Sequence, residues 1–199
     1  MQKLNKMEKK RKGPVNFLKE VAIVVIGVLI AVSIGNYKES LDNQSYIEKT
    51  LLAIENEIKV SQTEVDTVLE RHVKLFEALE EQIDNKDQSL GELVGSAGGF
   101  QVAAVKNVSL RFFVSNKAEL LEFKMISQLL EIELHANALT DKIKRLADYA
   151  YEHVNDKEEE VKLKFAYLLA NVIDGEQTLL ESYAAFLEEN GANLNPESQ

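Results

Sequence analysis

Apolar residues follow two patterns along this chain. From Val21 to Ile34 (VAIVVIGVLIAVSI) they are continuous: fourteen residues without a charge and with one hydroxyl, Ser33. Beyond residue 38 they become periodic. Ile47, Leu51, Ile54, Ile58, Val65, Val68, Leu75 and Leu79 recur at alternating steps of three and four, with Ser61 and His72 on the same stripe. This is a heptad seam of about five heptads. A second stripe runs through Ile126, Leu129, Ala136, Leu139, Ile143, Leu146, Ala150 and Val154, and a third through Val161, Phe165, Leu168, Val172, Leu179 and Phe186. Strand-like alternation is almost absent, and no Pro lies between Pro14 and Pro196, so nothing breaks long helices. The pattern predicts an all-α protein: one N-terminal transmembrane helix continuing into an elongated antiparallel helical bundle or coiled coil.

The predicted helices cover about 38–84, 101–114, 117–154 and 157–190. Between the first two, DNKDQSLGELVGSAGGF (84–100) reads as turn and loop on its four glycines. Projected backwards, the second stripe meets Glu119 and Glu122, so the phase slips there. Asn116 with Glu119 is a candidate capping box opening the 117–154 helix, and Asp156 with Glu159 does the same for the last. Residues 165, 172, 179 and 186 hold one phase across Gly175, so that helix should pass through the glycine. Asn190-Gly191 then reads as its stop, with a disordered tail over 192–199.

Charge divides the chain at the apolar run. Residues 1–20 carry seven Lys/Arg and two Asp/Glu, a net of +5, and the remainder carries a net of −15. Residues 1–14 (MQKLNKMEKKRKGP) read as a basic cytoplasmic arm that sets orientation, 15–37 as the transmembrane helix, and 38–191 as an extracytoplasmic bundle. This reads as a single-pass membrane chain with its N-terminus in the cytoplasm and its C-terminal part exported. Fourteen residues is short for a span and fits a signal-peptide core, with Ala31-Val32-Ser33 as a conceivable cleavage site. Phe17 and Leu18 extend the run backwards, Lys19 and Glu20 can snorkel, and Tyr37 supplies an interfacial ring. Residues 15–37 then span roughly 35 Å of helix, which favours a retained anchor over cleavage.

Glu20, Val24-Val25-Ile26-Gly27, Leu29-Ile30-Ala31, Ile34, Asn36, Tyr37 and Glu39 are similar to the G-E-I-x-L-V-V-I-G-I-L-I-A-L-x-I-N-N-W-N-E opening of a family of uncharacterised bacterial single-span membrane proteins, which the start of this chain resembles. Val21 stands in place of Ile, Gly35 of Asn and Tyr37 of Trp. Ser96-Ala97-Gly98-Gly99-Phe100, then Asn107 and Leu110-Arg111, are similar in kind to its S-S-G-G-L and N-x-x-L-R, with a spacing about two residues longer. The resemblance touches about a fifth of the chain. It implies a retained anchor and a long helical extracytoplasmic domain, and it implies no activity.

Candidate chemistry is sparse. The absence of Cys excludes disulfides and thiolate sites. None of His72, His135 and His153 follows a Glu by three residues, as a di-iron bundle requires. There is no H-E-x-x-H, G-x-S-x-G or phosphate loop. Glu158-Glu159-Glu160 and Glu80-Glu81 read as solvated faces. His72, on the seam, reads as a core histidine with a partner, and His135 and His153 as surface-facing. The expectation is a non-catalytic interaction or structural protein with no cofactor, metal or nucleic-acid partner. Its expected partners are the lipid bilayer and either a second copy or another membrane protein. An alternative is an extracytoplasmic ligand-sensing bundle signalling through a separate membrane protein. The 47–79 seam has two possible uses: a parallel homo-oligomeric coiled coil, or packing on the chain's own later helices. Two further stripes that also need partners favour the second.

Gly27, Ala31 and Gly35 share one face of the span and form a small-xxx-small groove for helix–helix association, although small residues are also frequent in membrane helices generally. If this face mediates association, Gly27→Leu with Ala31→Leu is expected to abolish self-association in a membrane two-hybrid assay. Unchanged association would exclude the face.

Overall fold

The structure, a computed structural model, describes residues 14–111 and 120–194. Its described elements are helical: α1 (Pro14–Gln82), α2 (Leu90–Ser96), α3 (Phe123–Glu152) and α4 (Glu159–Leu194). Residues 108–111 add a turn of helix. The fold is all-α. The chain divides into two compact units, Met1–Tyr46 and Ile47–Gln199.

In the first unit α1 begins at Pro14, whose fixed φ and missing N–H suit the first helical position. Near its N-terminal end α1 is long and apolar enough to cross a membrane. The apolar side chains from Phe17 to Ile34 are exposed, Ile23 at 70%. A Cβ added at Gly27 or Gly35 would meet nothing within 4 Å, and Ala31 is exposed as well.

The second unit is a bundle of α1, α3 and α4. Leu51, Ile54, Ile58, Val65, Val68, Leu75 and Leu79 of the predicted seam are buried, and Ile47 is half-buried. They meet Leu129, Ile132, Ala136, Leu139 and Leu146 of α3 and Phe165, Leu169, Val172, Leu179, Tyr183 and Phe186 of α4 in one core. The seam is thus consumed within one chain. The α3–α4 pair is antiparallel, as the contacts Gln128–Asn190, His135–Ser182, Lys142–Asp174 and Tyr149–Val161 show. α4 is also antiparallel to α1, because Lys162 bonds the Asn85 carbonyl while Glu176 meets His72 further down. α1 and α3 therefore run the same way, and the chain must return between them.

That return corrects the first seven residues of the predicted 101–114 helix, of which 112–114 lie outside the described residues. Residues 101–107 are not helical. His72 contacts Gln101 and Glu57 contacts Ser109, so eight residues of segment run alongside fifteen residues of α1. Fifteen helical residues cover roughly 22 Å, whereas eight would reach only about 12 Å as a helix. Only an extended chain makes the distance, at about 2.8 Å per residue, close to the polyproline rise. Gly98 and Gly99, at φ 98° and 80°, turn the chain into this segment.

Three other expectations change. The 84–100 stretch contains α2, opened by a capping box in which Ser89 accepts from the Glu92 N–H and the Glu92 carboxylate accepts from the Ser89 N–H. The Ser89 backbone and then its hydroxyl hold the Glu92 carboxyl below its usual value, with Lys157 adding a smaller pull. α3 begins at Phe123 after an extended Glu122, where polar Glu122 leaves the stripe nothing to bury; the Asn116–Glu119 cap lies outside the described residues. α4 begins at Glu159 and passes through both Gly175 and Gly191 to Leu194. Asp156 does not cap it, since its carboxylate pairs with His153 at 2.7 Å. Asn190 is buried and bonds Phe186 O and Gln128 Oε1, so it serves the α3–α4 contact and does not end the helix.

α2 is locked onto the α3–α4 turn. Gly91 N donates to Val154 O and Leu90 N to Asp156 O, both at 2.8 Å. A Cβ at Gly91 would lie 2.5 Å from Val154 Cγ2 and 2.7 Å from its carbonyl oxygen. Gly91→Ala is expected to cost about 2 kcal/mol, because backbone must move. Gly95→Ala, with nothing within 4 Å, should be neutral or slightly stabilising. Urea midpoints of the two variants check this.

Candidate functional site

The apolar seam of α1 is broken by two buried polar residues, Ser61 and His72. Both face the extended segment, and with Glu57 they hold it. Lys106 N donates to Ser61 Oγ at 2.8 Å. Ser109 N and Ser109 Oγ donate to the Glu57 carboxylate at 2.9 and 3.0 Å. Ser109 is the second residue of the 108–111 turn, so Glu57 caps that turn from another helix with a favourable charge. An extended chain packed on a helix has no strand to satisfy its backbone. Side chains at the polar gaps take over that role.

His72 is the centre of the arrangement. Its ring is buried and stacked on Phe100, centroids 4.7 Å apart and planes 6° from parallel. Nε2 lies 2.9 Å from Gln101 O, and Nδ1 lies 3.0 Å from Glu176 Oε2 on α4. A carbonyl can only accept, so Nε2 carries a proton. A second proton must then lie between Nδ1 and the Glu176 carboxyl, since a carboxylate facing a bare ring nitrogen would be repulsive. Glu176 is itself fully buried. Its Oε1 is 2.9 Å from Nδ1 yet outside hydrogen-bond geometry, and it has no hydrogen-bond partner.

Below this, Tyr183 of α4 is buried beside Ser61. Burial pushes its hydroxyl up to about 12, against a hydrogen bond with Ser61 that lowers it. Lys162, buried, donates to Asn85 O just past the end of α1, where an ammonium suits the helix C-terminus. The remaining histidines are half-buried and partnered, contrary to the surface reading: His135 Nδ1 lies 2.8 Å from Ser182 Oγ, and His153 pairs with Asp156. Among the described residues no group of three or more His, Asp or Glu is disposed to hold a metal ion.

Chemically, the site engages both His72 nitrogens, and the ring face is covered by Phe100. In this arrangement it holds the extended segment against α1 and α4. The sequence flagged His72 and Ser61; it passed over Glu57, Phe100, Gln101, Glu176 and Tyr183. A signal for one existed. Leu169, Val172, Glu176, Leu179 and Tyr183 form one buried stripe of α4, and its one acid is the natural counterpart of the seam's one histidine. Of the other residues singled out from the sequence, the structure brings the 47–79 seam together inside the bundle and sets Gly27, Ala31 and Gly35 against nothing within the first unit.

No protein-family model, curated protein or solved structure matches this chain.

His72→Leu leaves a buried carboxyl unpaired and is expected to cost about 3–5 kcal/mol. Glu176→Leu leaves a neutral ring nitrogen and should cost about 1–3 kcal/mol. The double variant should recover most of the loss, a non-additivity that chemical denaturation measures directly. A second test concerns Tyr183. Its folded value is raised above the unfolded value of about 10. Its contribution is therefore complete below pH about 10 and is lost as pH rises through about 12. The stability difference between wild type and Tyr183→Phe should shrink steadily over that window.

Proposed function

We propose that this chain is a non-catalytic, membrane-anchored helical module of the bacterial envelope that works by contact with other proteins. One observation carries this reading. The seam of the bundle is buried within its own chain, whereas the apolar stretch from Phe17 to Ile34 is left exposed. Apolar side chains around the whole circumference of a helix need lipid or protein around them. The basic residues before the stretch support an inner-membrane span with the N-terminus in the cytoplasm and the bundle outside. The resemblance of residues 20–39 to a single-span family supports the same arrangement. With the seam occupied, association with a second copy or another membrane protein falls to the span, where Gly27, Ala31 and Gly35 offer the small-residue face, or to the outer surfaces of the bundle.

A second reading, a ligand-sensing bundle acting through a separate membrane protein, is favoured by the His72 site. There α1, the extended segment and α4 meet at one side chain, so displacing any of the three would disturb the others.

Two measurements test these readings, the first their shared anchor and the second the choice between them. The chain contains no Cys, so Glu188→Cys gives one label site. It should be modified by a membrane-impermeant maleimide from outside the cell, and recovery of the chain in the soluble fraction would overturn the anchor. Native mass of the detergent-solubilised protein should be a multiple of 22.4 kDa or include further chains. A bare monomer that shifts its melting temperature with a small ligand would favour sensing.

A further inference from the structure

Residues 101–109 have an unusual set of attachments. Among the described residues, no backbone–backbone hydrogen bond joins 100–107 to α1, α2, α3 or α4. The segment buries only Ala103, and Leu110 just beyond it. Val102 and Val108 are exposed at 58% and 73%. Its hold on the bundle comes from Glu57, Ser61, Arg71 and His72, all on α1. It begins at two glycines in the left-handed region, a junction that can change direction without a side-chain penalty. Beneath it lie Ile54, Ile58, Ile132 and Ala136, lining a small enclosed cavity with Val105 and Leu110.

We propose that residues 101–109 are a strap that opens locally from the α1–α3 groove while the helices stay packed, with His72 as its latch. Few buried apolar contacts and backbone groups tied only to side chains place a segment at the low end of local stability. The helices beneath are held by a core that extends well past the strap on both sides, from Leu51 to Leu79 on α1. In the closed state the His72–Glu176 pair is buried. Lifting Phe100 and Gln101 uncovers the ring and lets water reach the pair. The closed state gains the His72–Gln101 bond and the Phe100 stack. This inference goes beyond the anchored-module reading and does not depend on the identity of any partner.

Hydrogen exchange on the full-length protein in detergent micelles tests it, comparing peptides covering 101–109, 61–75 and 169–183. Strap amides should exchange at least about tenfold faster than those of the two helical peptides, yet measurably slower than free chain. Glu57→Ala, at a half-exposed position, removes the bonds to Ser109 and leaves the core intact. It should speed exchange in 101–109 by about tenfold and leave 169–183 unchanged. Three results would overturn the strap. These are strap and core amides exchanging at one common rate, the variant accelerating all three peptides alike, and 101–109 exchanging fully at the shortest time.

Discussion

The contact between His72 and Glu176 is the point on which the bundle's topology turns. α1 and α3 run in the same direction, so the chain must cross back over some 22 Å of α1 between them. It does so with an extended segment, and an extended segment lying on a helix brings backbone groups that no ladder satisfies. His72 solves two problems at once. Nε2 takes the Gln101 carbonyl and Nδ1 takes the acid of α4. Ser61 and Glu57 repeat the solution further along. The polar residues that break the heptad seam are thus the ones that permit the fold, because a fully apolar seam would have nothing to offer Lys106 N or Gln101 O.

Seam and span divide the work of burial differently. In the second unit the apolar stripes of α1, α3 and α4 are complementary and finish inside one chain. In the first unit the apolar stretch encircles α1, and its side chains are exposed. An amphipathic stripe asks for a protein surface, whereas a helix apolar on all sides asks for lipid or for a protein that surrounds it. That contrast within one helix is the physical basis for reading the chain as an anchored module. It also explains why self-association through the 47–79 seam would require the bundle to come apart first.

Much of this was legible residue by residue. The stripes at Leu51–Leu79 and Phe165–Phe186 named most of the core, because burial on a helix repeats every 3.6 residues whatever the partner. The Ser89–Glu92 capping box was equally visible as a sequence motif but was read over in a glycine-rich stretch. Residues 101–107 were not legible. Val102, Ala103, Ala104 and Val105 suit a short helix as well as a strand, and the choice was made by the distance the segment has to cover. Asn190-Gly191 carries a stop signal that α4 overrides, since Asn190 gains more by bonding Phe186 O and Gln128 inside the contact with α3.

By itself, then, the sequence determined the all-α class, the periodic faces and an apolar stretch long enough to cross a membrane, since each depends on local spacing and side-chain solubility. Tertiary structure decided what met what: that α1 and α3 are parallel, that the return is extended, and that His72, Gln101 and Glu176 converge. Those outcomes depend on distances between residues up to 104 positions apart in the chain, and no local pattern encodes such a distance.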